Sequence, residues 1–303
     1  MDDQSRSLAR SRLGAAHPHR ETLVDGVRLA YDDDGDGPVL LCLHSIAHGA
    51  SDWAGLRTAL RDRFRVIALD WPNHGSSGDD REPASAGRYA ALLAGFVEAL
   101  GLREVVLIGN SIGGGAALRF AGAHPERVRA LVLVDSAGLD RADALARIVC
   151  GAMVRFFAAG ARGARWFPRW FGRYYRVVLP GEAARAQRER IVAAAYASAP
   201  VLVQAWSSFA RPDADQRHVA RGLRCPVFVA WARSDRVIQL RRNRPAIAAI
   251  PNARLELFPG GHAPFLECPD AFMPALAGFL AELPPRAAPA APSGSAASTG
   301  APA

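Results

Sequence analysis

The stretch Val105-Val-Leu-Ile-Gly-Asn-Ser111-Ile-Gly-Gly-Gly115-Ala-Ala-Leu-Arg-Phe120 constrains the chain more than any other. A fully apolar run of strand length meets a glycine-bracketed serine and then an alanine-rich helical pattern, so it reads as strand, sharp turn and helix. A serine at the tip of such a turn is held in a strained backbone conformation that leaves no room for side chains two residues to either side. Gly109 and Gly113 meet that demand. Because the turn also opens a helix, the Ile112 amide is directed toward whatever bonds to the Ser111 hydroxyl, and nucleophile and oxyanion donor arrive together. An ordinary tight turn uses the same small residues, so the flanking elements must decide between the two readings.

The flanks repeat one alternation. Largely apolar runs at Pro38–Leu43, Arg65–Asp70, Arg129–Asp135, Cys225–Trp231 and Arg254–Phe258 read as buried strands. Helical spacing separates them, as in Tyr89, Leu92, Leu93, Phe96, Val97 and Leu100, stopped by Gly101. Such alternation builds a mostly parallel, doubly wound sheet with its chemistry at the carboxyl ends of the strands. An antiparallel start is expected from Glu21–Tyr31, two short alternating runs split by Asp25-Gly26. Between about 140 and 221 the strand-like runs stop, and arginines and aromatic pairs take over.

A serine hydroxyl needs a base to take its proton, and the base needs an acid to fix its tautomer. Downstream, Trp231-Ala-Arg-Ser-Asp235 follows one strand and Gly260-Gly-His262-Ala-Pro-Phe-Leu-Glu-Cys-Pro269 follows the last. Asp135, also at a strand end, is the competing acid. His44 and His48 are four apart but have no third ligand nearby, and the acidic turn Asp32–Gly37 lacks the closing glutamate of a calcium loop. Neither reads as a metal site.

These segments resemble the α/β-hydrolase family: the elbow around Ser111, Ala123-His-Pro-Glu-Arg-Val behind it, Trp71-Pro-Asn-His-Gly-Ser-Ser-Gly78, and the Asp235 and His262 loops. The resemblance implies an α/β-hydrolase fold whose core occupies residues 21–139 and 222–283, with a helical cap inserted over 140–221. It implies a Ser111–His262–Asp235 triad, and it carries the second oxyanion amide to Ile46, in a loop where Ser45 replaces the usual glycine. Asn110 beside the serine is expected to line the substrate pocket and resembles carbon–carbon bond hydrolases of aromatic ring-cleavage products, whereas Ala263 and the 44–48 loop depart from them. The first reading is therefore a cofactor-free serine hydrolase of carboxylic esters with an apolar or aromatic acyl group. The alternatives are the carbon–carbon hydrolase, a perhydrolase, and a non-catalytic ligand receptor on the same fold.

In Arg165-Trp-Phe-Pro-Arg-Trp-Phe-Gly-Arg-Tyr-Tyr-Arg176, aromatic pairs and arginines both recur every fourth residue, which on a helix makes an aromatic face beside a basic ridge. It packs the cap onto the core, or roofs the pocket through Trp170 with an arginine awaiting an anionic substrate end, or meets a lipid surface. The net charge of +8 would otherwise point to nucleic acid, but all 37 basic residues are arginine, and with abundant Ala, Gly and Pro that reads as a coding bias. A small-molecule substrate and no nucleic-acid partner are expected. The four cysteines have no metal or disulfide spacing, no signal sequence opens the chain, and no unbroken apolar run reaches membrane length, so a cytoplasmic protein is expected. Residues 1–20 and the Pro/Ala/Ser/Gly segment 284–303 read as flexible.

Overall fold

The computed structural model describes residues 20–284. The expectations for residues 1–19 and 285–303 lie outside the described residues. One eight-stranded sheet runs through the molecule: β1 (Arg20–Val24), β2 (Val27–Asp34), β3 (Val39–Leu43), β4 (Arg65–Leu69), β5 (Val105–Asn110), β6 (Val128–Val134), β7 (Val227–Ala232) and β8 (Ala253–Phe258), in the order β1-β2-β4-β3-β5-β6-β7-β8. β1 and β2 form the expected hairpin, whose Asp25 (φ 49°) and Gly26 (φ 76°) are both in the left-handed region that a two-residue type I′ turn requires. β2 pairs antiparallel with β4, and every later pairing is parallel. All six residues of β5 and of β7 are buried, which is why these strands read as unbroken apolar runs.

From β3 the chain moves one way to β4 and then crosses back to place β5 on the other side of β3. The crevice beyond the carboxyl ends of β3 and β5 is therefore the switch point of the sheet, where open α/β sheets hold their ligands. Around it pack α1 (Ala54–Leu60), α2 (Ala86–Ala99) and α3 (Ile112–Ala123). Ser85 caps α2 by accepting the Arg88 N–H at 3.0 Å, and Gly101 ends it at φ 61°.

Among the described residues, the segment between β6 and β7 holds helices and no strand: α4 (Ala144–Ala161), α5 (Phe167–Val178), α6 (Arg185–Ala193), α7 (Ala195–Phe209) and α8 (Arg217–Arg221). α9 (Leu240–Ile247), α10 (Pro264–Glu267) and α11 (Pro269–Ala281) complete the chain. Asp143 accepts the Ala146 N–H to cap α4. Arg242 of α9 bridges Asp140 and Asp143 at 2.6 and 2.9 Å, tying the start of the insertion to the core. By length and composition alone the 18 residues of α4, with mean hydropathy 1.5, are enough to cross a membrane. Arg147 and Arg155 interrupt the run in sequence, but Ile, Val, Met, Phe and Ala around them keep the average high.

Candidate active site

Ser111 stands between the last residue of β5 and the first of α3 with φ 55° and ψ −119°, a conformation that L-residues avoid. The neighbours make the glycines necessary. A Cβ on Gly109 would lie 2.5 Å from the Gly113 carbonyl oxygen, and one on Gly113 would lie 2.4 Å from the Leu43 carbonyl oxygen. Strand, helix and serine can approach this closely only because both positions lack side chains. As the first residue of α3, Ile112 has no intrahelical acceptor for its N–H, and among the described residues no other acceptor takes it. The Ile46 N–H likewise has no protein acceptor, and Ile46 lines the same cavity as Ser111.

Two neutral histidines hold the loop that carries Ile46. His44 Nε2 accepts the Trp71 N–H at 2.9 Å while Nδ1–H donates to the Ser45 carbonyl, and His74 Nε2 accepts the Ala47 N–H at 2.9 Å while Nδ1–H donates to the Pro72 carbonyl. Burial lowers both rings to about 3, so neither carries charge at neutral pH. Asp70 accepts the Ala50 N–H at 2.7 Å and the Ser76 N–H at 3.0 Å, and a Cβ on Gly75 would collide with its carboxylate. The 71–78 loop contributes no lining residue to the cavity and instead braces the 44–50 loop. His48 pairs with Asp52. The acidic turn is likewise engaged, Asp33 bidentately with Arg65 and Asp34 with Arg57. Among the described residues no three His, Cys, Asp or Glu side chains converge as metal ligands, and all four cysteines are free.

Asp235, in the loop after β7, accepts the Val237 and Ile238 N–H groups on Oδ1 at 2.7 and 3.0 Å, which leaves Oδ2 to the His262 Nδ1–H at 2.8 Å. Both side chains are almost wholly buried. The His262 ring and the Ser111 hydroxyl face one cavity without a hydrogen bond between them, a contact that substrate binding tightens in such sites. Asp135, the competing acid, makes no hydrogen bond or ion pair with His262. It is wholly buried at φ 42°, its Oδ1 accepts the Ala232 N–H at 2.9 Å, and burial together with the nearby Asp235 carboxylate raises it well above the carboxylate range.

Two residues have roles different from those the sequence alone conveys. Asn110 does not line the cavity. Its Nδ2 donates to the Val134 and His262 carbonyls, both at 3.0 Å, so it ties the end of β5 to the histidine loop. Glu267 is the residue that sequence reasoning passed over: its Oε1 accepts from the Gly261, His262 and Ala263 amides and its Oε2 from the Gly181 amide. The signal was a carboxylate five residues after the histidine, close enough to fold back onto that turn.

The cavity measures about 410 Å³. Tyr174, Tyr175, Val178, Leu202 and Trp206 form its apolar wall. Trp170 is a correction: it is 54% exposed and lines nothing in the cavity. On α5 the buried stripe is Phe167, Phe171, Tyr175 and Val178, and Trp170 lies about 100° around the helix from Phe171. The arginines beside it, Arg165, Arg169 and Arg173, also stay outside, and the arginines at the cavity come from elsewhere, Arg236 and Arg241 after β7 among them.

Comparison with known proteins agrees with this geometry. Residues 38–269 match the family described as alpha/beta hydrolase fold. A pimeloyl-[acyl-carrier protein] methyl ester esterase of Xanthomonas campestris pv. campestris is 31% identical over 261 residues, 82% of this chain and 98% of the relative. An uncharacterized protein of Mycobacterium tuberculosis is 28% identical over 92% of this chain and 86% of its own length. A solved thermophilic esterase from Thermogutta terrifontis superposes with a TM-score of 0.76 at 23% identity, covering 88% of this chain and 99% of that one, and so supports the fold. With a hydrolase sheet, a serine on a strained elbow and an esterase relative matched nearly end to end, the chain belongs to the alpha/beta hydrolase fold family and is a hydrolase.

Proposed function

We propose that the protein is a cofactor-independent serine esterase that works through an acyl-enzyme on Ser111. The observation that carries the reading is the 2.8 Å Asp235–His262 contact, which engages Nδ1 and leaves Nε2 free of any protein partner among the described residues, on a histidine that lines the same cavity as Ser111 on its strained turn. The Ser111 Oγ attacks the ester carbonyl carbon and His262 Nε2 takes its proton, while Asp235 stabilises the resulting imidazolium. The carbonyl oxygen gains its negative charge between the Ile46 and Ile112 amides, two donors with no competing protein acceptor. His262 then protonates the departing alkoxide, and water repeats the sequence on the acyl-enzyme to release the acid and restore the serine.

The apolar wall of Tyr174, Leu202 and Trp206 supports an apolar or aromatic acyl group, and the methyl ester esterase relative supports ester chemistry. Asn110 supports no carbon–carbon hydrolase, since both its amide hydrogens are engaged with carbonyls. A panel of p-nitrophenyl esters of increasing chain length tests the reading. Wild type is expected to prefer medium acyl chains, Trp206→Ala to shift the preference to longer ones, and folded Ser111→Ala to lose at least about 10⁴-fold in turnover. Ester turnover undiminished in Ser111→Ala overturns the proposal.

A further inference from the structure

Residues 144–181, which include α4 and α5, hold seven arginines and not one aspartate or glutamate, so seven of the chain's eight net positive charges sit in this segment. All seven, Arg147, Arg155, Arg162, Arg165, Arg169, Arg173 and Arg176, are exposed. Among the described residues none of them has an acidic partner. A compositional bias toward arginine does not account for this, because elsewhere the arginines are matched by acids.

The same two helices carry most of the exposed large apolar side chains. Leu145, Ile148 and Val149 follow the i, i+3, i+4 spacing of one face of α4, with Ile148 70% exposed. Trp166, Trp170 and Val177 lie along α5, and the Arg173 guanidinium sits 5.5 Å over the Trp170 ring. Neighbouring sides of both helices are committed to the protein: Cys150, Phe157 and Gly160 of α4 and Phe167, Phe171 and Tyr175 of α5 are buried, and Phe156, further along the stripe of Leu145 and Val149, packs on Trp166 and Phe167 at 5.9 and 5.1 Å. A helix with one side packed in this way lies along a surface and does not cross it.

We propose that the α4–α5 face docks onto an anionic lipid bilayer, with Ile148 and its neighbours entering the acyl boundary and the arginines meeting the headgroups. Exposed aliphatics and tryptophans beside unpaired cations are what such an interface uses. A nucleic-acid surface would engage the arginines but leave Leu145, Ile148 and Val149 without a role, and a second copy would bring two basic faces together. Leu145 and Val149 also line the Ser111 cavity, so its mouth borders the docking face and an ester dissolved in the bilayer would have a short route in. The docking stands apart from the esterase reading, since its readout is binding alone.

The test is flotation of the full chain with phosphatidylcholine vesicles, with and without phosphatidylglycerol, at rising salt. Wild type and Ser111→Ala are expected to float with the anionic vesicles only and to be released by salt. The combined variant Arg165→Gln, Arg169→Gln, Arg173→Gln is expected to partition at least about tenfold less, and Ile148→Asp also to lose binding, both with wild-type melting temperatures. Several results overturn the proposal: equal partition onto both vesicle types, no flotation at low salt, or partition indifferent to both variants. So do self-association abolished by Ile148→Asp and duplex DNA binding abolished by the arginine variant, if vesicles are ignored.

Discussion

At the ends of β6 and β7, Asp135 and Asp235 differ in what each carboxyl meets. Asp235 has two backbone donors and the imidazole on its two oxygens, whereas Asp135 has one donor and a wholly buried site beside another carboxylate, which raises it well above its ordinary value. Asp235→Asn is therefore expected to lower kcat by about 10⁴-fold, because the amide fixes the wrong imidazole tautomer. Asp135→Asn, which keeps the shape of a side chain that makes no hydrogen bond to His262, is expected to retain most of the activity. Steady-state kinetics on both folded variants decides, and the reverse outcome would move the acid to Asp135. Stability against pH gives an independent check. His44 and His74 drop from 6.5 to about 3 on folding, so each is neutral in the native state and protonated in the unfolded chain between those values. Their contribution is complete above about 6.5 and declines as pH falls, by up to about 1.4 kcal/mol per pH unit each. Asp135 is raised and so has the opposite slope: the native state holds a proton that the unfolded chain gives up above its ordinary value. Urea midpoints should therefore fall for the wild type as the pH drops from 7.5 to 5.

Among the elements, the turn from β8 into α10 depends on one carboxylate. Glu267 satisfies three consecutive amides around His262 and a fourth from the insertion at Gly181, so it fixes the His262 turn and anchors the far segment to it. Glu267→Ala leaves those donors without their shared acceptor and is expected to cost about 2 kcal/mol or more and to lower kcat by about 10²-fold. Glu267→Gln, which keeps an acceptor oxygen, should recover most of both; thermal melts and kcat measured on the pair check this. The strands were legible in the sequence because parallel strands buried on both faces must be apolar throughout, as β5 and β7 are, and the elbow because Gly109 and Gly113 have no alternative. The inward face of α5 was not. Its aromatics come as adjacent pairs, 166/167, 170/171 and 174/175, and adjacent residues differ by about 100° around a helix. Only packing against α4, where Phe167 fits over Gly160, selects Phe167 and Phe171 over Trp166 and Trp170. Asn110 was misread for a related reason, since its partner carbonyl on His262 is 152 residues away in sequence.

Across the whole molecule, the order of the strands does the assembling. Ser111 from β5, the Ile46 loop from β3, Asp235 from β7 and His262 from the β8 exit come from separate parts of the chain, and the parallel sheet delivers all four to one edge. The insertion between β6 and β7 then encloses that edge with Tyr174, Leu202 and Trp206, while its outer face keeps the unpaired arginines. The order Ser, Asp, His along the chain was readable beforehand, but the cavity wall was not, because it depends on how α5 and α7 settle over the sheet. The central claim is that this convergence makes Ser111 a nucleophile with His262 as its base. Intact-mass analysis after exposure of the folded protein to a fluorophosphonate tests it most directly. A single covalent adduct is predicted, mapped to Ser111, absent in Ser111→Ala and formed at least about 10²-fold more slowly in His262→Ala. An unmodified wild type, or labelling that persists unchanged in either variant, would contradict the account.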